Sequence, residues 1–173
     1  MALRNILKDG DAALLKKSRA VTDYNARLHK LLDDMRETLI EANGLGLAAP
    51  QVGVLRRAVL VVDTSIESED VSDQIIELIN PEIIASSGEQ DGAEGCLSAP
   101  GIYGMVKRPQ LVKVRATDRY GKEFEAWGEG LTARAFCHEL DHLDGIMFST
   151  YVSRYLTDEE MDELASRREG EDA

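Results

Sequence analysis

The residues best suited to chemistry lie in the stretch His138-Glu139-Leu140-Asp141-His142. Residues four apart on an α-helix differ by only about 40° around the axis, so both imidazoles would point the same way. Two imidazoles on one face can hold a divalent metal ion, and Glu139 would then be close enough to exchange a proton with a metal-bound water. The pattern predicts a hydrolytic metal site. The alternative is an exposed polar helix that carries the pattern by chance.

A catalytic metal site of this kind needs a third protein ligand. One metalloprotease class places a third histidine six residues after the second, but this chain has Phe148 there, which excludes that class. A second class takes a glutamate farther along the chain, and Glu163 lies at such a distance. It belongs to an acidic stretch that we expect to be solvated. Cys96 is the third option, because it is a thiolate donor in a glycine-flanked segment.

The segment from Gly44 to Gln51 (GLGLAAPQ) combines small residues with one polar side chain. Small residues at this density indicate that the backbone closely approaches another group. A phosphate-binding loop is a poor interpretation, because no Gly-Lys-Ser/Thr ending follows. Gln51 needs a polar partner in this apolar setting, and that partner is either protein or ligand.

Taken together, three motifs in order resemble those of the peptide deformylase family. They are Gly-x-Gly-x-Ala-Ala-x-Gln at 44–51, Glu-Gly-Cys-Leu-Ser at 94–98 and His-Glu-x-Asp-His at 138–142. The resemblance implies a metal-dependent hydrolase that removes the formyl group from the N-terminal formylmethionine of nascent polypeptides and releases formate. The alternative function is a zinc endopeptidase that uses the two histidines and a downstream glutamate.

The resemblance also implies the roles of individual residues. It makes Cys96, His138 and His142 the ligands of one divalent ion, with Glu139 as the general base and then the general acid. It implies that the Gln51 amide and the Leu97 backbone N–H stabilise the negative charge on the attacked carbonyl. Fe(II) is the native ion that the family implies in bacteria, and a Cys/His₂ site also accepts Zn(II), Ni(II) or Co(II).

An apolar pocket should bind the methionine side chain. Leu131 and Ala135 share a helical face with the histidines, so we expect them to line this pocket, together with Leu45. Gly46 is expected to offer backbone hydrogen bonds to the peptide, as an added strand requires. Arg134, four residues before His138, would make such a pocket more polar.

These residues need a scaffold of strands and two helices. An amphipathic helix near the N-terminus, capped by Thr22 or Asp23 and ending at Asn43-Gly44, is predicted from apolar residues at helical spacing: Leu28, Leu31, Leu32, Met35 and Leu39. Strands are predicted at 57–63, 75–79 and 83–86, with a break at Asn80-Pro81, and a hairpin at 111–127. We therefore expect an α+β fold with mainly antiparallel or mixed sheets around a central metal-binding helix.

Composition limits the other functions. The 173 residues, 43% hydrophobic and 30% charged, fit one domain that covers 1–173 and ends in a short acidic tail, 157–173. The net charge of −12 argues against a general binder of nucleic acid or anionic membranes, and neither DNA nor a membrane is an expected partner. Without an apolar signal core in MALRNILKDGD, a cytoplasmic location is expected. Because the tail is acidic, we expect only transient proximity to the ribosome.

Overall fold

The computed structural model describes residues 2–171, with side chains through residue 167, and has an α+β architecture. The helices are α1 (Ala26–Ala42), α2 (Leu131–Leu143) and α3 (Asp158–Glu171). The strands are β1 (Gly46–Ala48), β2 (Ala58–Val62), β3 (Ile75–Ser87), β4 (Gln90–Cys96), β5 (Ala99–Arg108), β6 (Leu111–Thr117), β7 (Glu123–Glu129) and β8 (Arg154–Tyr155). Short 3₁₀ helices span Ala12–Leu15, Ala49–Val52, Val71–Gln74 and Phe148–Tyr151. None of the helices in the described range has the length and apolar character to cross a membrane.

Two antiparallel sheets surround α2. The larger has the strand order β1-β2-β3-β6-β7, and the smaller has the order β4-β5-β8. Helix α2 contacts β1, β2, β6 and β7 of the larger sheet and β5 of the smaller one. Eleven of its 13 residues are buried, as expected of a helix enclosed on most sides. The expected fold class, with sheets around a central helix, is confirmed.

Helix α1 covers the opposite face of the larger sheet. Its apolar side chains, Leu28 to Leu39, pack with Leu47 and Leu60 in one core cluster. The helix begins later than predicted, because Asn25 rather than Thr22 or Asp23 caps it: the Asn25 side chain accepts the Leu28 N–H at 3.1 Å. It ends at Asn43, whose left-handed φ of 54° stops the helix just before the Gly44–Gln51 segment.

Strand β3 corrects the prediction of two separate strands around Asn80-Pro81. It runs unbroken from Ile75 to Ser87, with a register shift between Ile79 and Glu82 where it pairs with β6. Proline has no N–H to donate, so a bulge at this point lets the strand continue past it. Asn80 takes a φ of 52°, and its side chain accepts the Val21 N–H at 2.8 Å.

The acidic C-terminal segment, which the sequence predicted to be solvated, is mostly exposed and is helical. It forms α3, which begins with a reciprocal capping box: the Thr157 hydroxyl accepts the Glu160 N–H at 3.2 Å, and Glu160 accepts the Thr157 N–H at 3.3 Å. Residues 172–173 of the predicted tail lie outside the described range.

Candidate active site

Helix α2 brings the two histidines of the His-Glu-x-x-His stretch together. The Nε2 atoms of His138 and His142 are 3.2 Å apart, and both side chains are buried. The i, i+4 spacing places them one turn apart on the same face, as predicted. This face points toward the smaller sheet, where β4 ends at Cys96.

Cys96 completes a three-donor cluster. Its Sγ is 3.4 Å from the His142 Nε2, and the donor atoms of Cys96, His138 and His142 all lie within 4.8 Å of one another. Tetrahedral ligands with metal–nitrogen bonds of about 2.0–2.1 Å and metal–sulfur bonds of about 2.3 Å are roughly 3.3–3.6 Å apart. The separations of 3.2 and 3.4 Å match that geometry closely, so the three side chains fit one small divalent cation.

Glu94 orients the first histidine, and sequence reasoning did not identify this contact. Its Oε2 lies 2.8 Å from the His138 Nδ1, which leaves the His138 Nε2 directed at the donor cluster. Buried carboxylates that bind the second nitrogen of a histidine ligand fix the ring and raise its basicity. The signal available in the sequence was the glutamate two residues before Cys96, but its partner is 44 residues away.

Two arginines hold Glu94 in turn. Arg108 forms a two-pronged pair with it, at 3.0 and 2.7 Å, and the Arg134 Nη1 lies 3.0 Å from its Oε1. Arg134 also donates to the Val106 carbonyl at 2.9 Å. Its charge is therefore compensated inside the protein. The sequence suggested that Arg134 would make the methionine pocket polar, but its charge is largely neutralised by Glu94.

Asp141 belongs to the same buried network. The Arg108 Nη1 donates to its Oδ2 at 2.8 Å, so Asp141 steadies the arginine that holds Glu94. Arg108 also lies over the Tyr151 ring, 5.2 Å from its centroid. The geometry gives Asp141 a supporting role rather than that of a free surface acid.

The charges in this network shift several pKa values. Burial opposes ionisation of Glu94, but its bonds with His138 and Arg108 outweigh burial and lower its pKa to about 2. Burial likewise opposes the charge on His138, yet Cys96, Glu94 and Glu139 raise its pKa to about 10. Burial and the neighbouring charge on His138 lower the pKa of His142 to about 3. The two histidines therefore titrate as a coupled pair, in which His138 holds the proton and His142 stays neutral.

Glu139 faces the same space as the donor cluster. Its Oε1 is 3.8 Å from the His138 Nε2, and its buried Oε2 has no hydrogen-bond partner among the described residues. Burial raises its pKa to about 7, helped by the charges of Glu94 and Asp141 and opposed by that of His138. A carboxyl group with a pKa in this range can both accept and release a proton near neutral pH.

Gly46 has no side chain, and the space this leaves is occupied by the Glu139 side chain. A Cβ atom at position 46 would lie 2.7 Å from the Glu139 Cγ, closer than side chains tolerate. The close backbone approach predicted from the small residues of the 44–51 segment is therefore an approach to Glu139. Strand β1, which carries Gly46, is an edge strand of the larger sheet.

Gln51 is fixed by protein contacts and points at the site. Its Oε1 accepts the Ala48 N–H at 2.9 Å, so its Nε2 must face the other way. That Nε2 lies 3.1 Å from the Ser98 Oγ and 3.5 Å from the Cys96 Sγ. In the sequence, Leu97 lies between Cys96 and Ser98. The contribution of its backbone N–H stays a prediction.

A cavity of about 540 Å³ opens beside the donor cluster. Its walls include the four predicted substrate-binding residues, Leu45, Gly46, Leu131 and Ala135. Met161 from α3 contributes one further apolar side chain, which sequence reasoning did not identify because nothing local relates it to the motifs. The volume lies within the range of small-molecule and short-peptide pockets, about 300–1,000 Å³.

Glu163 does not take part in the cluster. It is exposed on α3, and the group of potential metal donors found in the described range contains Cys96, His138 and His142. The zinc endopeptidase alternative required Glu163 as the third ligand, so the structure does not favour it.

Comparisons with known proteins agree with this geometry. The family model described as polypeptide deformylase matches residues 3–157. A peptide deformylase from Caldicellulosiruptor bescii is 52% identical over 167 residues, covering 96% of both chains. One from Caldanaerobacter subterraneus is 51% identical over 162 residues, covering 94% of this chain and 97% of the relative. A crystal structure of a peptide deformylase from Legionella pneumophila superposes with a TM-score of 0.80 at 37% identity, covering 96% of this chain and 98% of the other.

Proposed function

This chain belongs to the peptide deformylase family, and we propose that Cys96, His138 and His142 bind the metal ion on which its activity depends. The reaction is hydrolysis: the formyl group is removed from the N-terminal formylmethionine of nascent polypeptides. The observation that supports the ligand assignment is the convergence of three donor atoms at 3.2 and 3.4 Å in a buried site. A divalent ion bound there supplies a water of lowered pKa and polarises the formyl carbonyl.

We propose Fe(II) as the native ion. One thiolate and two imidazoles also accept Zn(II), Ni(II) or Co(II), and the usual order of complex stability does not favour iron. Support for iron comes from the family resemblance rather than from the donor set. Metal analysis of protein purified without oxygen from cells grown in ordinary medium tests the assignment, and zinc as the main ion would contradict it.

Glu139 is proposed as the group that moves the proton. It accepts a proton from the attacking water as the new C–O bond forms, and it gives that proton to the amine nitrogen as the C–N bond breaks. The products are formate and a free amino terminus. Support comes from its burial, its raised pKa of about 7 and its free Oε2 beside the donor cluster.

Gln51 and Leu97 are proposed to stabilise the oxygen that becomes negative during attack. The Gln51 amide is held by the Ala48 N–H on one side, so its NH₂ group is oriented before substrate arrives. Preorganised donors of this kind lower the barrier because little reorientation is needed during the reaction. The Leu97 N–H would be the second donor.

The peptide is proposed to bind with its methionine side chain in the cavity of about 540 Å³, against Leu45, Leu131 and Ala135. Its backbone would pair with β1 at Gly46. Strands β1 and β4 are edge strands of their sheets, so an extended peptide has main-chain groups to pair with on this face.

The domain extent, the cellular location and the relation to the ribosome are also proposed here. We infer a single catalytic domain, 1–173, whose acidic segment 157–173 follows the stretch matched by the family model. We infer a cytoplasmic location and transient ribosome proximity without a basic tail. Salt-independent co-sedimentation with ribosomes that disappears on deleting residues 157–173 would contradict the last point.

The ligand assignment is tested by metal content. Cys96→Ser should lose most of the bound ion and formate release, while Cys137→Ser should keep both. Cys137 is the matched control, because it is a buried thiol whose pKa is raised to about 11 by burial, and it is not among the clustered donors. If Cys96→Ser kept its metal and Glu163→Ala lost it, the endopeptidase alternative would replace this one.

A further inference from the structure

A second cavity, of about 600 Å³, lies apart from the active site and shares no lining residue with it. It is formed by the N-terminal segment, residues 19–25, the start of α1 and the loop at 53–56. Four arginines line it: Arg4, Arg19, Arg27 and Arg56. We call it the arginine cavity. Nothing in the deformylation reaction requires it.

Three of the four arginines in the arginine cavity have no carboxylate partner in the described range. Among the described side chains, eight arginines lie within 4.0 Å of a carboxylate: Arg4, Arg36, Arg57, Arg108, Arg115, Arg119, Arg134 and Arg154. Within residues 2–167, Arg19, Arg27 and Arg56 have no such pair. Asp34 neutralises Arg4, and one acid, Asp23, lines the cavity, so the remaining formal charge is three minus one, or +2, in a chain of −12.

Two of these arginines are held side by side by the backbone. Arg19 and Arg56 form an isolated parallel β-bridge. The Arg19 N–H donates to the Leu55 carbonyl at 3.1 Å, and the Arg19 carbonyl accepts the Arg57 N–H at 2.9 Å. Like charges at paired positions destabilise a fold, and an anion between them would remove that penalty. Guanidinium groups bind phosphate oxygens two at a time, which suits this arrangement.

The floor of the arginine cavity is apolar. Leu28, Leu31 and Val54 contribute to it, below the charged rim. A bare inorganic anion would use only the rim, whereas a ligand with a phosphate and a flat, weakly polar body would use both. The volume is within the range of small-ligand sites, about 300–1,000 Å³. The first turn of α1 also opens here and carries no acid, so it adds favourable potential for an anion.

We propose that the arginine cavity binds a nucleotide, with the phosphate between Arg19 and Arg56 and the base against the apolar floor. The nucleotide is either a free mononucleotide or one unit of a single-stranded RNA, since both present the same phosphate and base. Binding weakens as salt is added, because the attraction is between exposed charges.

Titrations of the zinc-loaded protein, followed by calorimetry and by amide NMR shifts, test this proposal. The probes are adenosine monophosphate, adenosine, inorganic phosphate and a short single-stranded RNA. Adenosine monophosphate should bind more tightly than adenosine or phosphate and shift the amides of residues 19–28 and 53–57. The Arg19→Ala/Arg56→Ala double variant should lose at least about tenfold in affinity. RNA that binds more tightly than the mononucleotide through the same arginines identifies the polymer as the source, and the reverse identifies the free nucleotide.

A matched control is Arg115→Ala, which removes an exposed arginine paired with Glu82 and Glu123 and should leave binding unchanged. Formate release by the double variant should equal that of the parent, so a failure here would be separate from any failure of the deformylase site. The proposal is overturned if neither nucleotide nor RNA binds, if phosphate binds as well as adenosine monophosphate, or if the double variant binds normally.

Discussion

The two cavities of this protein are similar in size and opposite in how they treat charge. In the active-site cavity of about 540 Å³, Glu94, Arg108, Arg134 and Asp141 neutralise one another in a buried network. In the arginine cavity of about 600 Å³, three of the four arginines have no carboxylate partner in the described range. Volume alone would not tell a chemical site from a binding surface, but the pairing of charges does.

The difference shows what each cavity is organised to do. In the active site, Glu94 and its arginines orient one nitrogen of His138 toward the donor cluster, and the Ala48 N–H orients the Gln51 amide toward the same cluster. The groups of this network are already paired and oriented before any ligand binds. In the arginine cavity, Arg19, Arg27 and Arg56 are exposed and have no carboxylate partner in the described range, so their charge is available to a ligand. Removing a charge should therefore have opposite consequences in the two places.

The largest expected effect is at the centre of the buried network. Glu94→Gln leaves Arg134 buried without a carboxylate and Arg108 with only Asp141, and we expect the free energy of unfolding to fall by about 3–5 kcal/mol. Metal affinity should also fall, by roughly 10–100-fold, because His138 loses its orienting partner. Urea denaturation and metal titration measure the two effects. Glu125→Gln, which breaks an exposed pair with Lys113, is the control and should cost less than about 1 kcal/mol. Equal losses in the two variants would refute the contrast between buried and exposed charge.

The second-largest effect is expected at Gln51, where a substitution affects the reaction without changing the charge network around Glu94. Gln51→Ala removes the amide aimed at the donor cluster but leaves every charge in place. We expect kcat for formate release to fall by roughly 10²–10³ while the ion is retained. Gln74→Ala serves as the control, because the Gln74 amide bonds the Ile66 carbonyl far from the motifs. An unchanged kcat in Gln51→Ala would assign Gln51 a structural role only.

A smaller effect is expected at Asp34, the carboxylate that pairs with Arg4 of the arginine cavity. Asp34 accepts bonds from the Ala2 N–H at 2.8 Å and from Arg4 at 3.0 Å, and Asp34→Asn should cost about 1–3 kcal/mol. Burial opposes its ionisation, but bonds from Lys30, Ala2 and Arg4 lower the pKa of Asp34 to about 2.

The sign of the pH dependence follows from that shift. Because the pKa of Asp34 is lower in the folded state than its unfolded value of about 3.9, the stabilisation is present above roughly pH 4 and is lost as the pH falls toward 2. The stability difference between the parent and Asp34→Asn, measured by denaturation from pH 6 down to about pH 2.5, should shrink in that window. A difference that stays constant with pH would contradict the assignment.

The smallest effect should have the opposite sign. Arg19→Ala/Arg56→Ala removes two like charges at paired positions, and without added nucleotide we expect a gain of about 0.2–1 kcal/mol in stability. Thermal melting in low salt measures it. A loss of stability would show that protein contacts of these arginines, such as the hydrogen bond from Arg56 to the Leu55 carbonyl at 3.3 Å, outweigh their repulsion, and the contrast with Glu94 would fail.

The sequence predicts those parts of the site that depend on local geometry or on the family motifs. The i, i+4 spacing places His138 and His142 together on any α-helix, whatever the rest of the chain does. The residues alone left Cys96 and Glu163 open as the third ligand, and the family motifs selected Cys96. The structure places Cys96 in the cluster because the β4–β5 hairpin turns back immediately after it.

The remaining features depend on contacts between distant parts of the chain. Glu94 meets Arg108 and Arg134 across two strands and a helix, and the arginine cavity draws residues from positions 4 to 56. No spacing rule relates such residues. The prediction of a strand break at Pro81 was wrong for a related reason: a bulge, set by pairing with both β2 and β6, carries β3 through the proline.

The most direct test of the central claim is formate release from a short formylmethionyl peptide. The parent and Glu139→Ala would both be purified without oxygen, and the metal content of each would be measured. We predict that the parent releases formate and that Glu139→Ala, with its ion retained, is slower by on the order of 10²–10⁴. A folded, metal-loaded parent that releases no formate, or a variant as fast as the parent, would contradict the assignment of this site.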